Sequence, residues 1–166
     1  MYEGIIDEIL MYSVRSDDGR WIIPVSVDWD YTLTKSSDWT SEDIELNEYG
    51  FDVLKRWHEK YNVGIIINSM RHEELLEEPL KILHDKGIEI YGVGRNPNQD
   101  QDGNIVNKCF SVFDIDDRDV GIPVYKEMGR KRPYVNWEEV EKLMEPILEF
   151  IYSKLCLAKL WHNNMI

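Results

Sequence analysis

The chain has 166 residues, 43% hydrophobic and 31% charged, with a net charge of −13; that length suits one domain with a substantial core. So acidic a balance excludes a broad basic face for duplex nucleic acid, but a small phosphorylated end group stays compatible, because a bound cation offsets carboxylates locally. The two cysteines, Cys109 and Cys156, form no C-x-x-C pair, which argues against structural zinc and for a reducing compartment.

Residues 1–20 read as an N-terminal appendage, with Ile5, Ile6, Ile9 and Leu10 at helical spacing before a turn at Ser16-Asp17-Asp18-Gly19. Glu3, Asp7 and Glu8 stand where a secretory signal carries basic residues. No apolar run approaches the roughly 20 residues that span a bilayer. The chain is therefore expected to be cytoplasmic, with no membrane partner.

From Trp21 onward strands and helices alternate, and residues 21–166 read as one domain. The first strand is Ile22–Asp28, followed by a polar connection and a helix from Leu46 to Tyr61 carrying Tyr49, Val53, Leu54, Trp57 and Tyr61 at helical spacing. The second strand, Val63–Asn68, leads past Ser69 to a helix over Glu73–Asp85, with Leu75, Leu76, Leu80 and Leu83 inward and Lys86-Gly87 as its stop. A third strand, Ile88–Val93, enters a long polar loop containing Arg95 and Asn96; a fourth, Ser111–Ile115, ends in Asp116-Asp117. The last helix, Asn136–Leu160, is expected to bury Val140, Leu143, Met144, Ile147, Ile151 and Leu155. Aromatic residues within the helices are assigned to the core. Largely apolar strands alternating with helices predict a three-layer α/β/α Rossmann-like fold with a mostly parallel central sheet.

Ligands of such sheets sit at the carboxyl ends of the strands, which is where Asp28 and Asp30 fall. Two carboxylates spaced i, i+2 at the end of an extended run lie on the same side of the chain. Magnesium prefers such oxygen ligands and keeps several waters, so a few carboxylates and a phosphate suffice to hold it. Each signal also has a plain structural reading. Asp-x-Asp is a common turn with capping acids, Ser69 a helix cap, Lys108 a solvated cation, and Asp116-Asp117 an acidic turn paired with Arg118. Arg71 fits a helix-start polar residue as well as a substrate contact.

Together, Asp28-Trp29-Asp30-Tyr31-Thr32, Ser69, Lys108 and Asp116-Asp117 resemble the haloacid dehalogenase superfamily of phosphohydrolases. The resemblance spans Trp21 to Pro123 and is nearest to small cap-less bacterial and phage-type members ending in I-D-D-R-N-x-G-G-x-P. Here Asp119 replaces the Asn, Ile122 the second Gly, and Tyr31 the Gly usual after the second aspartate.

The resemblance implies a magnesium-dependent phosphatase in which Asp28 attacks phosphorus and Asp30 is general acid and base. Asp28, the backbone carbonyl of Asp30, and Asp116 with Asp117 would hold the metal. Ser69 and Lys108 would meet the phosphoryl oxygens; Thr32, Arg71 and Asn96 are candidate substrate contacts. Neither 34–46 nor 94–107 has room for a cap domain, so the site is expected to be open to a phosphorylated substrate of unspecified class. A receiver domain uses similar groups, but with its acidic pair first, and is rejected on order. A non-catalytic metal- or phosphate-binding module of the same fold is the competing reading. The C-terminal helix, rich in Leu and bearing Trp, is the candidate surface for an oligomer.

Overall fold

The computed structural model describes residues 3–37, 44–71, 73–98 and 109–163. Within them, α1 (Glu3–Tyr12) precedes β1 (Ile23–Val27), α2 (Glu48–Tyr61), β2 (Val63–Ile67), α3 (Glu73–Asp85), β3 (Ile90–Val93), β4 (Phe113–Ile115), the short pair β5 (Val124–Tyr125) and β6 (Tyr134–Val135), and α4 (Trp137–Asn163).

Every residue of β1 and β2 is buried, as strands covered on both faces require. The two pair in parallel, placing Ile23 beside Val63, Val25 beside Ile65 and Val27 beside Ile67. Side chains alternate faces along a strand, so these six share one face, and all six belong to the main core. β3 and β4 add to either side in parallel, giving the order β3-β2-β1-β4. The result is an α/β, Rossmann-like sheet whose strands all end along one edge.

The core is completed by Val53, Leu54 and Trp57 of α2 and by Trp137, Val140, Leu148, Ile151 and Leu155 of α4. Trp57 sits between them, its ring 6.1 Å from those of both Phe113 and Trp137. α2 stops at Asn62, whose φ of 58° and N–H to the His58 carbonyl make a left-handed cap. At Gly64 a Cβ would lie 2.4 Å from Ile22 Cγ2; the strand packs too closely there for any side chain.

Two expectations are corrected. Leu143 points out of α4 and is 56% exposed, and Tyr49 is also exposed, its hydroxyl donating to Glu141 at 2.8 Å. The antiparallel pair β5–β6 was not anticipated, because strands of two residues carry no readable alternation. Ile9 of α1 is fully buried in the main core, so the N-terminal helix contributes to that core.

No cap stands over the described part of the first connection. Thr34 bridges to Leu46, and Lys35 donates its N–H to the Glu45 carbonyl at 2.8 Å, so the chain leaves and returns at one point. Among the described residues no helix is long and apolar enough to cross a membrane.

Candidate functional site

β1 delivers Asp28 to the edge where the parallel strands end. The Asp28 N–H still pairs with the Ile115 carbonyl at 2.9 Å, which carries β1 one residue past its assigned end and fixes it against β4. β4 in turn delivers Asp116 and Asp117. One carboxylate oxygen from each of Asp28, Asp116 and Asp117 lies within 4.8 Å of the others.

Three acids gathered this closely on a half-buried surface repel one another. Burial, followed by the charges of Asp116, Asp30 and Asp117, pushes the Asp28 carboxyl up to about 7, although a Trp29 backbone N–H opposes the rise. Burial also raises Asp117, against the pull of Arg132. A divalent cation bound by these three oxygens would relieve the repulsion, and an all-oxygen donor set suits magnesium. The donor set fits the metal that the sequence suggests.

After Asp28 the chain makes a wide turn over Trp29–Leu33, closed by the Thr34 N–H on the Trp29 carbonyl at 3.0 Å. Tyr31 takes a left-handed φ of 58° within it, a conformation in which a side chain is strained. Asp30 is thereby turned toward Arg71, which grips it with two bonds: Nη2 to Oδ1 at 2.6 Å and Nε to Oδ2 at 3.1 Å. The Arg71 side chain is only 3% exposed. Its N–H donates to Ser69 Oγ at 3.3 Å, so Ser69, Arg71 and Asp30 form one connected group beside the three-acid cluster. The Asp30 carboxylate is not among the clustered oxygens.

Thr32 lies beneath the site, fully buried, its Oγ1 accepting the Asp117 N–H at 3.2 Å. It ties the two acidic loops together instead of facing substrate. Its carbonyl accepts from Trp137 Nε1 at 2.8 Å and from Asn47 Nδ2 at 3.3 Å. Asn47 also donates to the Val135 carbonyl at 2.8 Å. Trp137 and Asn47, neither of them anticipated, therefore brace the turn that aims Asp30.

The indole reaches Thr32 only because Gly50 has no side chain: a Cβ there would lie 2.5 Å from Trp137 Nε1. Gly50→Ala is therefore expected to destabilise the fold by about 1–3 kcal/mol and to lower the melting temperature by roughly 3–10 °C. An unchanged melt would show that the indole is free to move.

The remaining candidates divide. Asn96 is buried, its Nδ2 donating to the Phe110 carbonyl at 3.2 Å and its Oδ1 accepting the Asn98 N–H at 3.0 Å; it holds its own loop. Lys108 lies outside the described residues. Asp117 pairs with Arg132, not with its neighbour Arg118, whose N–H instead closes a turn on Asp116 Oδ1 at 2.9 Å. Arg132 also stacks 4.5 Å over the Tyr31 ring. The only sequence signal for it was a basic run, Arg130-Lys131-Arg132, in an acidic chain.

No family model matches the chain, and no curated protein is significantly similar to it. A solved structure, that of a conserved protein from Bacteroides thetaiotaomicron, superposes with a TM-score of 0.58 at 21% identity, over 75% of this chain and 91% of that one. Identity at that level speaks for the α/β fold alone.

Proposed function

We propose that this protein is a magnesium-dependent phosphomonoester hydrolase of the haloacid dehalogenase type. The observation that carries the reading is the convergence of Asp28, Asp116 and Asp117 within 4.8 Å at the ends of adjacent parallel strands. Asp28, Asp116 and Asp117, with the Asp30 backbone carbonyl, would hold the metal. A magnesium ion held there would keep Asp28 ionised and offset phosphoryl charge.

An Asp28 oxygen attacks phosphorus while the bond from phosphorus to the ester oxygen breaks. The Asp30 carboxyl gives its proton to that leaving oxygen. Asp30, now a carboxylate, takes a proton from the water that attacks the aspartyl-phosphate, releasing phosphate and restoring Asp28. Ser69 donates to a phosphoryl oxygen and Lys108 neutralises charge. Arg71 positions Asp30 and must release one of its two oxygens for that oxygen to carry the proton.

One observation favours the second reading, a non-catalytic binding module. Both Asp30 oxygens are held by Arg71, and an acid/base must free one of them. A panel of phosphomonoesters, assayed with and without magnesium, separates the two. The enzyme reading expects metal-dependent phosphate release from at least one aryl or alkyl ester. No turnover across the panel would sink it. Either reading expects millimolar magnesium to raise the melting temperature by several degrees, since a ligand at tenfold its Kd adds about 1.4 kcal/mol.

A further inference from the structure

The β5–β6 hairpin sets a basic run against an acidic site. Lys126, Arg130, Lys131 and Arg132 fall within residues 126–132 of a chain whose net charge is −13. The stem is fixed: Val124 pairs with Val135, whose carbonyl accepts from Asn47, and Tyr134 is buried. Arg130 is held on the first connection by Glu45 and by the Lys35 carbonyl at 3.1 Å. Lys126 and Lys131 are exposed.

Arg132 is placed differently from these. One Nη donates to Asp117, whose side chain is 5% exposed, while that of Arg132 is 37% exposed. The guanidinium carbon lies over the Tyr31 ring, 4.5 Å from its centre. Tyr31 is itself positioned by its N–H to Thr34 Oγ1 and by a 3.2 Å contact from its hydroxyl to Ser37 Oγ. A cation–π contact uses none of the five N–H donors of a guanidinium. Asp117 takes one of them. A cation clamped from two sides, next to the metal-binding acids and partly open to solvent, is pre-organised for an anion. A planar fork suits phosphate best.

We infer that Arg132 is a second phosphate subsite, so that the preferred substrate class is a small phosphomonoester carrying another phosphate near the one removed. The inference rests on the hydrolase reading for where the first phosphate sits. Tyr31, the departure from the usual glycine, then has a role as the platform that holds Arg132 in place.

The test is a binding measurement, which does not depend on turnover. Asp28→Asn protein in excess magnesium is titrated with thymidine 3′,5′-bisphosphate, thymidine 3′-monophosphate and thymidine 5′-monophosphate. The bisphosphate is expected to bind about tenfold tighter or more than either monophosphate. Adding Arg132→Gln should reduce that preference to about twofold, over and above any uniform loss that follows from Asp117 losing its partner; thermal melting shows that each variant is folded. Equal affinity for all three, no binding of any, or a loss with Arg132→Gln that is uniform across the three would overturn the inference. In the last case Arg132 would only support Asp117. A preserved bisphosphate preference in a protein that hydrolyses nothing would count against the hydrolase reading alone.

Discussion

Asp28→Asn is expected to abolish phosphate release and, in metal-free buffer at pH 8, to raise the melting temperature. The two effects have one cause. Burial first, and then the charges of Asp116, Asp30 and Asp117, raise the Asp28 carboxyl from 3.8 to about 7. A carboxyl with a raised folded-state pKa binds its proton more tightly folded than unfolded. Its contribution to stability is therefore full below about pH 4, declines as pH rises toward 7, and stays low above that. The shift corresponds to about 4 kcal/mol at most. An amide of the same shape has no charge to bury, so the variant should melt on the order of 5–10 °C higher at pH 8. The gain should vanish below pH 4, where the carboxyl is neutral too. Saturating magnesium should shrink it, since the wild-type carboxylate then faces a cation. Retained turnover would remove Asp28 as nucleophile. A variant that melts lower than wild type at pH 8 without metal would show that burying the Asp28 charge beside the other acids costs the fold nothing.

That the three acids meet could be read from order and position, because strand ends can be located without knowing any contact. Mostly apolar runs mark Ile22–Val27, interrupted only by Ser26, and Val63–Ile67, and parallel pairing then brings their ends to one edge. α3 was equally legible: its apolar spacing and the Lys86-Gly87 stop gave the same bounds, and Gly87 adopts a φ of 74° there. Leu143 misled because it lies three residues from Val140, at the margin of the inward stripe; Met144, Ile147 and Leu148 fill the interface. Leu143 instead lines a cleft with Val120 and Ile122.

Pairings between side chains were not legible. Arg118 adjoins Asp117 in sequence and was the natural partner, but the turn from Asp116 to Asp119 carries it away, and Arg132 arrives from a hairpin too short to be recognised. Thr32 looked like a phosphate contact because of its motif. Only its burial shows that its hydroxyl belongs to Asp117.

The same fold-dependent pairing underlies the second large effect, at Asp30 and Arg71. Asp30→Asn is expected to lower kcat by about 10²–10⁴-fold with little change in KM, since an amide can neither give nor take the proton. The magnesium-induced rise in melting temperature should persist, because the Asp30 carboxylate is outside the clustered oxygens. Stability should fall by about 2–3 kcal/mol, as the deeply buried Arg71 loses the carboxylate that fits its fork. Arg71→Gln should then reproduce much of the kcat loss without touching substrate, by letting Asp30 swing. Arg71→Lys, which keeps the charge but loses the planar fork, should recover only part of it. Coupling between the two sites, read from the double variant Asp30→Asn/Arg71→Gln, should make the second substitution nearly silent in kcat. If Arg71→Gln instead raises KM and leaves kcat alone, Arg71 binds the substrate phosphate and releases Asp30 in the complex. In that case the ion pair belongs to the resting state, and substrate binding itself frees the acid.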